Sequence, residues 1–291
     1  MLALRRIQGM KCACLSSVLF LSCIGCFKEA ALELDMGTGE PTRSYRLFVP
    51  SSLPNTPVPL LIAIHGGDGR NYPFEQESIF EALAEERGFI IAYPLSEKLP
   101  DNEGEWQLNT SDERHQDIVY MERLIDQLHR DYSIDATRIY ATGYSLGSMF
   151  AYELACHLSH TFAAIASHAG TMPVSPNACA PDEYTPIMHL HGENDSLISY
   201  DDTWDWKNWD SVGTMMDIPS LLHYWKSKYA CASSNEADSG DTVHTVHQNC
   251  EQNVRVEHHQ IKDVGHEWPE TIQGIPTPHL IWSFLEDFAK P

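Results

Sequence analysis

The chain has 291 residues, of which 43% are hydrophobic, and it carries a formal net charge of −22. Length and apolar content are sufficient to bury the core of one α/β catalytic domain. The acidic balance excludes nucleic acid and anionic lipid as natural partners, because phosphate binding needs clustered Lys and Arg.

Residues 1–25 have the layout of a signal peptide, with three basic residues, no acidic residue and an apolar stretch from Cys12 to Gly25. The stretch is about 14 residues, shorter than the roughly 20 that a membrane-spanning helix needs. Cleavage would remove three positive charges from −22 and leave a chain of −25. Gly25 before Cys26 also fits a lipoprotein signal. We therefore expect export, either by plain secretion or with a lipid anchor at Cys26 as the one membrane contact.

After a polar tether at residues 26–42, apolar runs alternate with helical patterns over residues 43–291. Such alternation predicts an α/β fold, with a mostly parallel central sheet and helices on both faces. The predicted strands are Arg43–Pro50 at the sheet edge, then Pro59–His65, Gly88–Pro94, Arg138–Thr142, Phe162–Ser167, Pro186–Leu190 and Val254–Ile261. The predicted helices are Glu75–Arg87, Arg114–Arg130, Leu146–Leu158, Ile218–Tyr229 and Pro278–Phe288.

Four cysteines remain beyond the signal and tether, namely Cys156, Cys179, Cys231 and Cys250. An even number in an oxidising compartment favours two disulfides over free thiols. Three pairings are open. We favour Cys156–Cys179 with Cys231–Cys250, because each closes a short local loop.

Ser145 is the centre of a Gly-x-Ser-x-Gly motif that lies between a predicted strand and a predicted helix. The bare pattern is weak evidence, but this placement is typical of a nucleophile on a sharp strand-to-helix turn. We therefore predict that Ser145 is the nucleophile of a hydrolase, with a purely structural turn as the alternative.

A serine hydroxyl needs a base, and the base needs an acid that fixes its tautomer. His266 follows the last predicted strand and precedes a Trp-Pro turn, so it is the predicted base. Asp195 ends the turn after strand Pro186–Leu190 and is the predicted acid. The competing acids are Glu193, Asp201 and Asp202.

Backbone N–H groups of Gly67 and Leu146 are the predicted oxyanion donors, because one follows a buried strand in a glycine-rich loop and the other follows the nucleophile. Trp268 and Tyr144, close to the base and the nucleophile, are predicted to bind substrate. For the remaining aromatic candidates we leave binding and packing open: Trp106, and Trp204, Trp206 and Trp209 in a stretch from Ser196 to Asp217 that is expected to be an insertion over the sheet edge.

No metal and no organic cofactor are expected. The chain has fifteen histidines, but His258 with His259 and His244 with His247 lack the helical His-x-x-x-His spacing of zinc hydrolases.

Together these motifs resemble the poly(3-hydroxybutyrate) depolymerase-like esterases of the α/β-hydrolase fold, a family similar to feruloyl and acetylxylan esterases. The resemblance rests on collinear segments at Ile64–Gly67, Asp135–Met149, Phe162–Ala166, His191–Asp195 and Gly265–Pro269. It implies an exported carboxylic ester hydrolase with a Ser-His-Asp triad, no cofactor, and a polymeric or oligomeric ester substrate. The alternatives are a feruloyl or acetylxylan esterase, a serine peptidase of the same fold, and a binding protein on a hydrolase scaffold.

Overall fold

The computed structural model describes residues 31–37, 39–67, 74–97, 106–110, 115–206 and 212–291. The predicted signal peptide, Cys26 and Trp209 lie outside these residues. In the part of the chain that is described, no helix combines the length and apolarity needed to cross a membrane.

Within the described residues, ten strands form one sheet, and five α-helices cover it. The strands of this sheet are β1 (Leu32–Leu34), β2 (Arg43–Phe48), β3 (Val58–Ile64), β4 (Ile90–Leu95), β5 (Ile134–Tyr144), β6 (Ala164–His168), β7 (Ile187–Gly192), β10 (Ser233–Asp238), β11 (Thr242–Gln248) and β12 (Val256–Ile261). Two small hairpins join β8 (Trp204–Asp205) to β9 (Thr214–Met215) and β13 (Thr271–Ile272) to β14 (Ile275–Pro276). The helices are α1 (Glu77–Arg87), α2 (Gln116–Asp131), α3 (Leu146–His157), α4 (Ile218–Lys228) and α5 (Thr277–Leu285).

The strand order is β1-β2-β4-β3-β5-β6-β7-β12-β11-β10. The six strands from β4 to β12 pair in parallel, whereas the outer strands on both sides pair antiparallel. The predicted α/β class, with a mostly parallel sheet, is confirmed.

Central strands are apolar throughout because helices cover both faces of the sheet. All seven residues of β3 are buried. Leu60 and Ile62 belong to the apolar cluster that contains α2, α3 and α4, whereas Leu61 and Ala63 belong to the cluster with α1 and α5. Because successive side chains of a strand point to opposite faces of the sheet, β3 contributes to both layers of the core.

The predicted strands are wrong at both edges of the sheet. β2 is not an edge strand, because β1 pairs with it, and Leu34 of β1 is buried. The sheet therefore begins within the predicted tether, ahead of residue 43. At the other edge, β10 and β11 form a hairpin that was not predicted, since β10 is polar and its residues are mostly exposed.

Both favoured disulfides are present. Cys156 of α3 is joined to Cys179, and Cys231 is joined to Cys250, which closes the β10–β11 hairpin at its open end. Each loop spans about 20 residues, a length for which a disulfide contributes about 3 kcal/mol by restricting the unfolded chain.

Candidate active site

The predicted nucleophile lies on a strained turn between β5 and α3. Ser145 has φ 52° and ψ −118°, a conformation that non-glycine residues seldom adopt. A Cβ atom on Gly143 would overlap the backbone of Gly147, and one on Gly147 would overlap the carbonyl of Ile64. The two glycines of the motif are therefore required by the close approach of backbone to backbone.

Strand order brings three distant residues to the same sheet edge. Ser145 follows β5, Asp195 follows β7 and His266 follows β12, and these strands are parallel with neighbouring carboxyl ends. Such an edge is where open α/β sheets bind ligands. Gly192 allows the loops after β7 and β12 to approach each other, because a Cβ there would overlap the carbonyl of Val264.

The side chains of these three residues form one hydrogen-bonded line. His266 Nε2 lies 2.9 Å from Ser145 Oγ, and His266 Nδ1 lies 2.7 Å from Asp195 Oδ2. A carboxylate accepts hydrogen bonds, so Nδ1 carries the imidazole proton and Nε2 is free to accept the serine proton. The arrangement has the tautomer that a general base requires.

Asp195 is held as an anion. Its Oδ1 accepts hydrogen bonds from the backbone N–H groups of Leu197 at 2.9 Å and Ile198 at 2.8 Å. Burial alone would raise the pKa of Asp195, but hydrogen bonds from His191, His266 and Ile198 lower it well below the ordinary value. The competing acids Glu193, Asp201 and Asp202 are exposed, so Asp195 is the acid that the structure brings to His266.

A buried chain of hydrogen bonds leads from the core to Asp195, and sequence reasoning missed it. Tyr152 OH lies 2.8 Å from His189 Nδ1, and His189 Nε2 lies 3.2 Å from His191 Nδ1. His191 Nε2 in turn lies 2.9 Å from the carbonyl of Ile198 and 3.3 Å from Asp195 Oδ2.

The direction of this chain follows from its ends. Burial raises the pKa of Tyr152, so its hydroxyl stays protonated and donates to His189. Burial also lowers the pKa of His189 far below the usual range, which keeps this imidazole neutral with one proton on Nε2. Because the carbonyl of Ile198 can only accept, His191 accepts at Nδ1 and donates at Nε2, to that carbonyl at 2.9 Å and more weakly towards Asp195 Oδ2 at 3.3 Å. In the sequence, the only sign of this hydrogen-bonded chain is the alternation of histidines along β7.

The loop after β3 lies against the nucleophile. A Cβ on Gly66 would lie 3.1 Å from Ser145 Cβ and from the carbonyl of Tyr144. His65 anchors the loop, since its Nε2 accepts from Ser96 N–H at 3.1 Å and its Nδ1 lies 2.7 Å from Gly66 O. Gly67 comes next and is exposed, and Leu146 begins α3, where backbone N–H groups lack helical partners. Their oxyanion role stays a prediction.

The two aromatic side chains that are predicted to bind substrate lie beside the base. Their described contacts are with other parts of the protein. Tyr144 OH donates to the carbonyl of His266 at 3.0 Å. Trp268 packs against His168, with ring centroids 4.5 Å apart, and against Tyr144 and Phe74, each at 5.7 Å. These rings support the His266 loop, and their substrate contacts stay a prediction.

Trp106, Trp204 and Trp206 pack against other aromatic rings. Trp106 is 1% exposed, stacks on Phe150 and donates from Nε1 to the carbonyl of His65 at 2.9 Å. Trp206 is buried, with its ring 5.3 Å from that of Trp204. These three do not form an open aromatic wall.

Two titratable residues near the base were not predicted. His168 is fully buried next to Trp268, and neither of its ring nitrogens has a hydrogen-bond partner among the described residues. Burial, and then repulsion by His191 and His266, lowers the pKa of His168 to about 3. Burial raises the pKa of Glu75, which interacts electrostatically with His266.

The fold is that of the α/β-hydrolases. A family model described as phospholipase/carboxylesterase matches residues 102–207, about a third of the chain. More particularly, the chain is similar to acetylxylan and feruloyl esterases, as the following comparisons show.

A bifunctional acetylxylan esterase/xylanase of Neocallimastix patriciarum is 26% identical over 77% of this chain and 31% of its own length. Feruloyl esterase B of Piromyces equi is 23% identical over 80% of this chain and 43% of its own length. The chain thus spans less than half the length of these curated relatives. Among solved structures, an acetyl xylan esterase from Aspergillus awamori has a TM-score of 0.59 at 18% identity, covering 88% of this chain and 99% of its own, which supports the fold.

Proposed function

We propose that this protein is an exported serine carboxylic ester hydrolase that acts on acetyl or feruloyl esters of xylan-type polysaccharides or their fragments. The observation that carries the proposal is the hydrogen-bonded line from Ser145 Oγ through His266 to Asp195. Similarity to acetylxylan and feruloyl esterases favours these substrates over hydroxybutyrate polymers.

Catalysis begins when His266 Nε2 takes the proton from Ser145 Oγ as that oxygen attacks the ester carbonyl carbon. The N–H groups of Gly67 and Leu146 hold the resulting oxyanion. His266 then gives its proton to the leaving alcohol, and the ester C–O bond breaks to leave an acyl-serine.

Water completes the cycle. His266 takes a proton from a water molecule, whose oxygen attacks the acyl carbonyl, and then returns that proton to Ser145 Oγ as the carboxylic acid departs. Asp195 stays ionised throughout and stabilises the imidazolium. Its lowered pKa supports this role.

Ser145→Ala tests the nucleophile. Hydrolysis of p-nitrophenyl acetate should fall by about three orders of magnitude or more, because the acyl-enzyme can no longer form. Retained activity in a correctly folded variant would contradict the proposed site.

A substrate panel tests the rest of the proposal: acetylated xylan, methyl ferulate, hydroxybutyrate oligomers and peptide anilides. We expect the first two to have the highest kcat/KM. Faster turnover of hydroxybutyrate oligomers would reverse the substrate assignment and keep the esterase, whereas faster turnover of anilides would make the protein a peptidase.

Export is supported by the two disulfides, which persist in oxidising compartments. Intact mass of the exported protein distinguishes a plain cleaved terminus from a lipid-modified Cys26.

A further inference from the structure

A second cluster of titratable groups lies on the opposite half of α3 from Ser145. His115 Nε2 lies 3.7 Å from Glu153 Oε2, and His157 Nε2 lies 3.3 Å from the same oxygen. The three ligand atoms are all within 4.8 Å of one another. Glu153 is eight residues beyond Ser145, or about 12 Å along the helix axis at 1.5 Å per residue, so this cluster is separate from the proposed esterase site.

The His115 cluster, as we name these three residues, is buried and incompletely bonded. His115 is 7% exposed and Glu153 is 8% exposed. Neither ring nitrogen of His115 has a hydrogen-bond partner in the described part of the chain. A buried imidazole without a partner loses its hydration and gains no protein hydrogen bond in return, which a bound ligand would correct.

The cluster also holds a negative charge. Glu153 supplies a carboxylate that is 8% exposed, and its Oε2 lies 3.7 Å from His115 Nε2 and 3.3 Å from His157 Nε2. Asn109 N–H donates to Glu153 Oε1 at 2.8 Å, which leaves Oε2 directed at the two imidazoles. A desolvated carboxylate beside two imidazole nitrogens is favourable for a cation.

We propose that His115 Nε2, Glu153 Oε2 and His157 Nε2 bind one Zn²⁺ ion. Imidazole nitrogen and carboxylate oxygen are ordinary zinc ligands, with bonds of about 2.0–2.2 Å, so neighbouring ligand atoms in a tetrahedral site lie about 3.3 Å apart. The His157–Glu153 distance of 3.3 Å already matches, the His115–Glu153 distance of 3.7 Å exceeds it by 0.4 Å, and all three ligand atoms lie within 4.8 Å of one another. Water would take the fourth position, on the side where His157 is 21% exposed.

A second group of two histidines and one glutamate already has a positively charged neighbour. His244 and His259 both contact Glu257 Oε1, at 3.0 and 3.3 Å. However, Arg255 Nε lies 3.1 Å from Glu257 Oε2, so a positive charge is already present. The two imidazole rings are also stacked 4.2 Å apart at 8°, which turns their faces towards each other. This trio therefore serves as the matched control.

Zinc at the His115 cluster would fix the segment around Asn109 and His115 to α3. The same segment contains Trp106, whose Nε1 donates to the carbonyl of His65 and whose ring stacks on Phe150 of α3. The ion would thus stabilise the packing behind the loop that leads to Gly67.

The test uses the full chain without an affinity tag, treated with chelator, desalted and titrated with ZnCl₂. Bound metal is measured by atomic emission and affinity by calorimetry, for the unchanged protein and for His115→Gln, His157→Gln and His244→Gln. We expect one zinc per chain in the unchanged protein and in His244→Gln, and an affinity at least 10–100-fold lower in His115→Gln and His157→Gln.

Zinc should also raise the thermal unfolding midpoint of the unchanged protein and of His244→Gln, but not of His157→Gln. Because His157 is the most exposed member, its variant remains informative if His115→Gln does not fold. No zinc in the unchanged protein, undiminished zinc in His157→Gln, or loss of zinc in His244→Gln alone would each overturn the assignment.

Discussion

Two buried carboxylates in this molecule have the same kind of neighbours and different surroundings. Asp195 lies between His191 and His266, and Glu153 lies between His115 and His157. In both cases the histidines keep the carboxyl group ionised despite burial.

The difference lies in how completely the partners are bonded. Around Asp195 the ring nitrogens described above have partners: His191 binds His189 and the carbonyl of Ile198, and His266 binds Ser145. Around Glu153, His115 has none in the described residues. A satisfied set fixes a tautomer and suits proton transfer, whereas an unsatisfied set suits an ion. The same residue types thus support different chemistry, depending on whether the ring nitrogens of the histidines have further hydrogen-bond partners.

Among the variants that test this comparison, removal of the Asp195 charge should have the largest effect on activity. In Asp195→Asn the side-chain amide can donate to His266 Nδ1, which moves the ring proton to Nε2, facing Ser145. We expect kcat for ester hydrolysis to fall about 10⁴-fold with the fold retained. Asp201→Asn, at an exposed competing acid, is the control and should retain full activity. A small effect of Asp195→Asn would show that another group orients His266.

Breaking the buried chain behind Asp195 should have an intermediate effect. His191→Phe keeps a ring in the core but removes the donor to Asp195 and the acceptor for His189. A lost hydrogen bond to a charged group is worth about 1.5–3 kcal/mol, so we expect kcat to fall about 10–100-fold with KM little changed. His191→Gln, which restores a donor, should recover part of the loss. A change in thermal stability alone, with normal kcat, would limit this chain to a structural role.

The buried imidazole of His168 should make stability depend on pH. Its folded-state pKa of about 3 lies below the ordinary histidine pKa of 6.5, so the unfolded state binds the extra proton first. Stability is therefore complete above pH 6.5 and declines as pH falls towards 3, by about 1 kcal/mol per pH unit from this residue. His168→Phe should reduce that slope in urea unfolding measured between pH 6.5 and 4.5.

The exposed His160→Gln is the control for that measurement and should keep the slope of the unchanged protein. An unaltered slope in His168→Phe would mean that the imidazole at 168 is charged, or hydrated, in the folded protein.

Central elements could be predicted from the sequence because burial on both faces leaves an unmistakable apolar run, as in β3. The α2 face with Ile118, Met121, Leu124, Ile125 and Leu128 is buried as its spacing predicts. By contrast, β1 and β10 are short or polar edge strands, and their pairing depends on neighbours that are distant in the chain.

The residues of the site also divide into those that could be predicted from the sequence and those that could not. Motif context and chain order were sufficient to select Ser145, Asp195 and His266, which the structure brings within hydrogen-bond distance, although their catalytic roles remain to be tested. The chain behind Asp195 was not predictable, because alternation of histidines in β7 does not reveal that Tyr152 and Asp195 lie at the two ends of their row. Glu153 and His157 have helical spacing, but they are a Glu-His pair and not the His-x-x-x-His pattern of zinc hydrolases, and His115 joins them only through the packing of α2 against α3.

The outer strand β10 has one further consequence. Its unpaired edge carries exposed Asn235, Glu236 and Asp238, and the Cys231–Cys250 disulfide fixes the hairpin at its base. Unpaired strand edges recruit other chains into aggregates unless charges keep those chains away. Glu236 and Asp238 place negative charge along this edge, and apolar substitutions there would favour pairing with the edge strand of another chain.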